Sequence, residues 1–180
     1  APRRRIFCDD VLVPAPEVGY CASKDWHYFG YKGGIRIADM GMIVQAPLLA
    51  AAPHDSQYTE TLLAGMPAGA VGLGDKGFLD AETQTALAED CGVRLLTPMR
   101  QNMDATAFVL PHSMKGARQL VETVNGQLVE RFKVQTLRVR KGWTLLAKWY
   151  RKILAHTICV WLNLCHGRHP LDYAGLLAAA

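Results

Sequence analysis

The sequence "AGAVGLGDKGFLDAETQTALAEDCGVRLL" at residues 68–96 decides the fold class, because its pattern alternates a strand, a helix and a second strand. The short apolar run "AGAVGL" predicts a buried strand that ends in a glycine-rich turn. Asp80 is suited to cap a helix that ends near Cys91, where a glycine follows. The segment "VRLLTPM" then predicts another strand. Strands that alternate with helices are typical of α/β proteins.

Further strands are predicted before this unit, and long helices after it. The predicted strands are 5–13 and the two halves of a hairpin, "KGGIRIAD" and "MIVQAPLLAA", around a turn at 39–41. The further predicted helices are 53–66 (capped by Asp55 or Ser56), 113–133 and 143–165, and the predicted loops are 14–31 and 101–111. We therefore expect a mixed five-stranded sheet flanked by helices in one domain, 1–166, followed by a tail, 167–180.

Charge is distributed unevenly along the 180 residues, which together carry a net charge of +4. Residues 54–112 contain eight acidic and three basic side chains, whereas 118–152 contain nine Lys or Arg against Glu122 and Glu130. A basic segment of this kind fits a polyanionic partner, and it fits a solvated helix face equally well. Half of the residues are apolar, as in an ordinary globular protein.

The cysteines and the apolar segments exclude several classes of protein. Five scattered cysteines without a C-x-x-C pair argue against a disulfide framework and favour a reducing, cytoplasmic setting. The Cys and His residues between 159 and 169 match no standard zinc spacing. No secretory signal is evident. The longest apolar segment, 143–164, contains three basic residues, so it predicts an amphipathic or buried helix and not a membrane span.

Gly72, Gly74 and Gly77 match the G-x-G-x-x-G pattern of dinucleotide-binding proteins. That pattern belongs on the first strand-to-helix turn, where its third glycine opens the helix. Here several elements precede the match, the helix begins later at Asp80, and Asp75 would face the pyrophosphate. We therefore expect no nucleotide cofactor, and we interpret the turn as one that presents Asp75 to a cation.

Three carboxylates are candidates for one metal site. Asp75 follows a strand end, Asp9 lies midway along the first predicted strand, and Glu122 lies one position outside the apolar stripe of its helix. A buried carboxylate is unfavourable unless it binds a cation, and ligands gather at the carboxyl ends of strands. Mg²⁺ prefers oxygen ligands and keeps open positions for substrate phosphate. The alternative is that these acids are separate caps and solvated charges.

Several motifs together resemble the catalytic core of bacterial insertion-sequence DDE transposases, from about residue 6 to 163. The most specific are "GDKGF", the T-P-x-R end of the strand in "GVRLLTPMRQNM", and the helix pattern R-x-x-x-E-T-x-x-x-Q-L in "RQLVETVNGQL". The resemblance implies a ribonuclease-H-like fold with an Asp-Asp-Glu triad. In this sequence the triad falls on Asp9, Asp75 and Glu122, with Arg118 as the arginine that precedes the glutamate. Asp9 is preferred to Asp10 because it keeps the family's offset to a Val-Pro pair.

The same resemblance implies a reaction and its partners. It implies that the triad holds Mg²⁺, or Mn²⁺ as a substitute, and that the metal supports cleavage and strand transfer of DNA. The implied partners are transposon ends and target DNA, and a second copy of the chain in a possible homodimer on DNA. Residues expected to contact DNA are Arg118, Arg131, Lys133, Arg138, Arg140, Lys141, Lys148, Arg151 and Lys152. Trp143 and Trp149 could stack on bases, but their helical spacing favours the core.

The alternative function is an inactive or domesticated remnant that binds DNA without cutting it. Lys115 and Val129 stand where the family often has a tyrosine and a lysine, which favours this alternative. The first predicted acid lies within ten residues of the start, so we expect the DNA-binding region that normally precedes it to be absent.

Overall fold

The computed structural model describes residues 13–21, 24–98 and 113–178, which belong to two compact units. The first unit combines Ala1–Ala52 with Gln119–Ala180, and the second comprises Pro53–Arg118. Two predicted segments lie outside the described residues. They are the strand at 5–13, of which only the last residue is described, and the loop at 101–111. The single domain of 1–166 with a tail at 167–180 stays a prediction.

Seven strands and five α-helices occur in the described residues. The strands are β1 (Glu17–Cys21), β2 (Trp26–Gly33), β3 (Arg36–Ile37), β4 (Ile43–Gln45), β5 (Leu48–Ala50), β6 (Val71–Leu73) and β7 (Arg94–Leu96). The helices are α1 (Thr59–Leu63), α2 (Ala81–Asp90), α3 (Ser113–Glu130), α4 (Gly142–Cys165) and α5 (Tyr173–Ala178). Short 3₁₀ helices cover Asp55–Tyr58, Lys76–Phe78 and Val134–Thr136. The mixed α/β class is thereby confirmed.

The first unit contains a three-stranded antiparallel sheet in the order β1-β2-β5 and a separate β3–β4 pair. The predicted hairpin around the turn at 39–41 is confirmed as β3–β4, whereas β5 pairs with β2. The loop predicted at 14–31 is wrong, because β1 and β2 form a hairpin there, with Val18 opposite Phe29. The aromatic and β-branched residues of these strands outweigh the Pro, Gly and Ser content on which the loop prediction rested.

The described strands form sheets of three, two and two strands, so they do not confirm the five-stranded sheet. Two of these sheets belong to the first unit and the third, β6–β7, to the second. The segment 5–13, which supplies one of the five predicted strands, lies almost entirely outside the described ranges. The single mixed sheet therefore stays a prediction.

The core of the first unit lies where α3 and α4 meet the β3–β4 segment. Val124 and Leu128 of α3 are 0% and 2% exposed, as the predicted apolar stripe of that helix requires. They belong to one cluster with Trp149 and Ile153 of α4 and with Ile43 of β4. The predicted long helices are confirmed, although α3 ends at Glu130 instead of Lys133.

The segment after α4 packs back onto that helix. Asn163 is fully buried, and its amide nitrogen donates hydrogen bonds to the carbonyl oxygens of Pro170 and Asp172 at 3.0 and 2.9 Å. The hydroxyl of Tyr173 donates to the carbonyl oxygen of His156 at 3.2 Å. The ring of Tyr173 also contacts those of Phe132 and His156, with centroids 5.7 and 5.6 Å away. Residues up to Tyr173 therefore complete the core of this unit.

The buried imidazole of His156 makes the stability of this unit depend on pH. Burial lowers the pKa of His156 from its usual 6.5 to about 4. Between these values the unfolded chain takes up a proton that the folded protein excludes, so stability falls as pH drops from about 6.5 to about 4. The expected loss is about 3 kcal/mol. Urea denaturation at a series of pH values should show this slope.

The matched controls are His156→Gln and His27→Gln. His156→Gln cannot take up the proton, so its free energy of unfolding should vary less over this pH range. His27 is exposed, so His27→Gln controls for the effect of replacing a histidine by glutamine outside the core. An equal slope in wild type and His156→Gln would contradict the assignment of the pH dependence to His156.

The second unit contains the predicted strand–helix–strand. Strands β6 and β7 are parallel, with Gly72 opposite Leu95. Helix α2 begins as predicted, because the Asp80 carboxylate accepts hydrogen bonds from the N–H of Glu82 at 3.2 Å and the hydroxyl of Thr83 at 2.8 Å. Gly92 follows the helix with φ +65°, a conformation that favours glycine. The strand, helix and strand of this unit therefore occur in the order and at the positions that the sequence pattern predicts.

Two predictions in the second unit need correction. The helix predicted at 53–66 is a 3₁₀ turn followed by the short α1, and the side chain of His54, not Asp55 or Ser56, caps it by accepting from the N–H of Ser56. Strand β6 is not buried, because Val71 and Leu73 are each 43% exposed. Gly72 packs towards Leu63, and side chains alternate along a strand, so the two larger residues lie on the opposite, open side.

Candidate active site

The turn after β6 holds Asp75 in a defined position at the end of a strand. The N–H of Gly74 donates to the carbonyl oxygen of Leu96 at 2.9 Å, which extends the β6–β7 pairing by one hydrogen bond. Asp75 follows and caps the 3₁₀ turn Lys76–Phe78, and its Oδ1 accepts from the N–H of Gly77 at 2.8 Å. Because Asp75 is exposed, its carboxylate is both fixed by the backbone and accessible.

The glycines of this turn permit close packing around the carboxylate. A Cβ atom at Gly77 would lie 3.0 Å from Oδ1 of Asp75 and 3.2 Å from Oδ2 of Asp55. A Cβ atom at Gly74 would lie 3.2 to 3.4 Å from Phe78, Thr97 and Leu95. The glycine spacing that resembles a dinucleotide fingerprint therefore serves a tight strand-end turn around an acid.

Asp55 is a second acid beside Asp75 that the sequence did not reveal. Its carboxylate and that of Asp75 approach the same point next to Gly77. The sequence indicates Asp55 only as a possible helix cap, because nothing local marks a contact with a residue twenty positions away. Two neighbouring carboxylates attract cations, and their oxygen atoms are the ligands that Mg²⁺ prefers.

Glu122 and Arg118 lie one helical turn apart on α3. Both side chains are exposed, whereas Val124 and Leu128 of the same helix are buried. Glu122 therefore lies off the packed stripe of the helix, as predicted.

Convergence of the three predicted acids stays a prediction. Asp9 and the alternative Asp10 lie outside the described residues. Asp75 and Glu122 belong to different units. Within the described parts of the chain, no group of three or more His, Cys, Asp or Glu side chains is arranged to hold a metal ion.

The predicted DNA-contacting residues fall into two groups. Seven of the nine are exposed, and they are Arg118, Arg131, Lys133, Arg138, Arg140, Lys141 and Arg151. The other two, Lys148 and Lys152, are half-buried, and their ammonium groups donate to the carbonyl oxygens of Arg138 and Phe132. These two lysines therefore attach the segment between α3 and α4 to α4, and the exposed group is the better candidate for phosphate contacts.

The two tryptophans predicted to lie in the core behave differently. Trp149 is 6% exposed, and its Nε1–H donates to the carbonyl oxygen of Ala46 at 2.8 Å, so it belongs to the core as predicted. Trp143 is 54% exposed, so the core prediction for it is wrong. It lies at the first turn of α4, on the side of the helix opposite Leu145, which is buried.

Comparison with known families identifies the class of this chain. Residues 3–141 match the transposase DDE domain family, and the chain therefore belongs to that family. The match includes the turn at Asp75, the helix α3 with Arg118 and Glu122, and most of the basic segment. Comparison with curated proteins and with solved structures gave no match.

Membership in this family establishes transposition of DNA as the general function. A transposase takes DNA as its substrate, and DDE transposases generally use divalent metal ions to cut it. The resemblance to DDE transposases that the motifs indicate is thereby confirmed, and the bacterial insertion-sequence origin stays a prediction. None of the helices in the described ranges is long and apolar enough to cross a membrane.

Proposed function

We propose that this chain cleaves and joins DNA phosphodiesters with the help of Mg²⁺ held by Asp9, Asp75 and Glu122. The observation that carries the proposal is the position of Asp75. Its exposed carboxylate is fixed by the N–H of Gly77 at the end of a parallel strand, within the range that matches the family. Ligands of α/β proteins gather at such strand ends.

The residues around this turn fit a hard divalent cation. Asp75 and the neighbouring Asp55 offer carboxylate oxygens next to Gly77. Oxygen ligands of this kind suit Mg²⁺ or Mn²⁺ better than Zn²⁺. When bound, the metal ions would activate the attacking hydroxyl and stabilise the leaving oxygen of the phosphodiester.

The chain itself would supply orientation and charge. The hydrogen bond from Gly77 restricts the Asp75 side chain, so its free lone pairs are held in place before the metal binds. The exposed basic residues of 131–151 would bind phosphates and fix the register of the DNA without reading its sequence. Arg118, one turn before Glu122, would place a further positive charge next to the third acid.

A nicking assay on supercoiled plasmid tests this proposal. We expect the wild-type protein to nick the plasmid with Mg²⁺ or Mn²⁺ and not with EDTA, and Asp9→Asn and Glu122→Gln to lose the activity. Asp10→Asn should keep it, which separates the two candidates for the first acid. If the protein binds DNA but neither metal supports nicking, the proposal is wrong and the DNA-binding remnant is the better account.

A further inference from the structure

Helix α4 has two apolar faces, and only one of them is packed in the core. The buried face contains Leu145, Trp149, Ile153, Val160 and other residues. Exposed residues follow the opposite side along the whole helix, and we call them the outer stripe: Trp143, Ala147, Tyr150, Leu154, Ile158, Trp161 and Cys165. With 1.5 Å per residue the stripe is about 33 Å long. Continuous exposed apolar surface of this kind marks an interaction site.

The large side chains of the outer stripe are strongly exposed. Leu154 is 59% exposed, Trp161 55%, Trp143 54% and Tyr150 47%. The outer stripe itself contains no charged residue, and the exposed Arg151 lies beside it. An apolar stripe does not suit the phosphate backbone of DNA, which is bound by Lys and Arg. The outer stripe is therefore better suited to bind an apolar protein surface of similar length.

The spacing of the outer stripe is symmetric about Leu154. Its seven positions are separated by 4, 3, 4, 4, 3 and 4 residues, so the order is the same in both directions. Two such helices that run antiparallel would place Leu154 against Leu154 on a two-fold axis. A two-fold interface requires a surface that is complementary to itself, and this symmetric spacing meets that requirement.

The sizes of the side chains match in the same antiparallel arrangement. Trp143 of one copy would lie against the small Cys165 of the other, and Trp161 against Ala147. Tyr150 would lie against Ile158. Each tryptophan therefore meets a small residue of the other copy, which allows the two helices to pack closely. A parallel pair would place tryptophan against tryptophan and alanine against alanine.

The charges of α4 also favour the antiparallel arrangement. The helix carries Lys148, Arg151 and Lys152 in its first half, and its second half contains no Asp, Glu, Lys or Arg. In a parallel pair Arg151 would lie next to Arg151 of the other copy, which like-charge repulsion disfavours. In an antiparallel pair it would lie near Thr157. We propose that the outer stripe of α4 binds a second copy of this chain in an antiparallel, two-fold interface.

Sedimentation velocity of the DNA-free protein tests whether this dimer forms. The wild type should be dimeric at micromolar concentration. Leu154→Glu places two carboxylates together on the axis and should raise the dimer dissociation constant at least about 100-fold. Met40→Glu, at a residue that is 49% exposed in the first unit outside α4, should remain dimeric. Circular dichroism should show that both variants fold.

A cross-linking experiment tests the direction of the two helices. In the antiparallel pair, the thiol introduced by Trp143→Cys lies near Cys165 of the other copy, so mild oxidation should give a covalent dimer. Adding Cys165→Ser should abolish that product. A wild type that stays monomeric, a dimer that persists in Leu154→Glu, or cross-linking that does not need Cys165 would each overturn the proposal.

Discussion

Asp75→Asn is expected to reduce metal-dependent nicking of plasmid DNA by more than about 100-fold. Removing a group that only supports a metal ligand reduces affinity or activity 10- to 100-fold, and the loss of a ligand should exceed that range. The substitution changes the charge of the side chain but hardly its size. The amide oxygen of asparagine can still accept from the N–H of Gly77, as Oδ1 of Asp75 does at 2.8 Å, so the turn should keep its shape while the charge is lost.

Asp80→Asn is the matched control for this experiment. Asp80 is a half-buried acid that caps helix α2, and its Oδ1 accepts from the N–H of Glu82 at 3.2 Å. Asparagine can take over that bond too. The two variants therefore remove the same charge from two N-caps that lie five residues apart, one of a 3₁₀ turn and one of an α-helix. Equal nicking by Asp75→Asn and Asp80→Asn would show that Asp75 has no special role.

Trp149→Ala is expected to reduce the free energy of unfolding of the first unit by about 4 kcal/mol. The indole is 6% exposed and belongs to the core cluster around Val124 and Leu128. Its truncation leaves a cavity and also leaves the carbonyl oxygen of Ala46 without its donor, which is now 2.8 Å away. Urea denaturation followed by circular dichroism should show the loss.

Two further variants separate these contributions. Trp149→Phe keeps much of the ring but not its N–H, so it should lose about 1–3 kcal/mol, the typical result of leaving a buried polar group unpaired. Trp26→Ala removes an indole that is 53% exposed and should change stability by less than about 1 kcal/mol. If Trp149→Ala were no more destabilising than Trp26→Ala, the core described for this unit would be wrong.

The parts of the fold that the sequence predicted well are those with local signals. Helix α2 has a capping acid, Asp80, at one end and Gly92 at the other, and both determine backbone geometry within a few residues. Helices α3 and α4 have long apolar stripes whose period of 3.6 residues is independent of tertiary contacts. The buried face of α3 is the one that the pattern indicated, whereas in α4 the pattern placed Trp149 correctly and Trp143 wrongly.

The parts that were missed depend on tertiary structure. The β1–β2 hairpin lies in a segment whose Pro, Gly and Ser residues favour a loop, and its strands are stabilised by pairing with each other and with β5. Tyr173 packs against His156, and no local sequence pattern indicates that these two residues are in contact. Asp55 approaches Asp75 only because the second unit folds its two turns together. The candidate triad came from family motifs, since isolated acids in a sequence do not reveal which of them converge.

Localised cleavage of the polypeptide by bound Fe²⁺ tests the central claim most directly, because it reports shared metal binding without relying on activity. Fe²⁺ in place of Mg²⁺, with ascorbate and hydrogen peroxide, generates radicals that cut the chain next to the metal. We expect cuts near residues 9, 75 and 122 that excess Mg²⁺ suppresses and that Asp75→Asn weakens at all three positions together. Cuts confined to one of these regions, or cuts that Mg²⁺ does not suppress, would contradict a metal site shared by Asp9, Asp75 and Glu122.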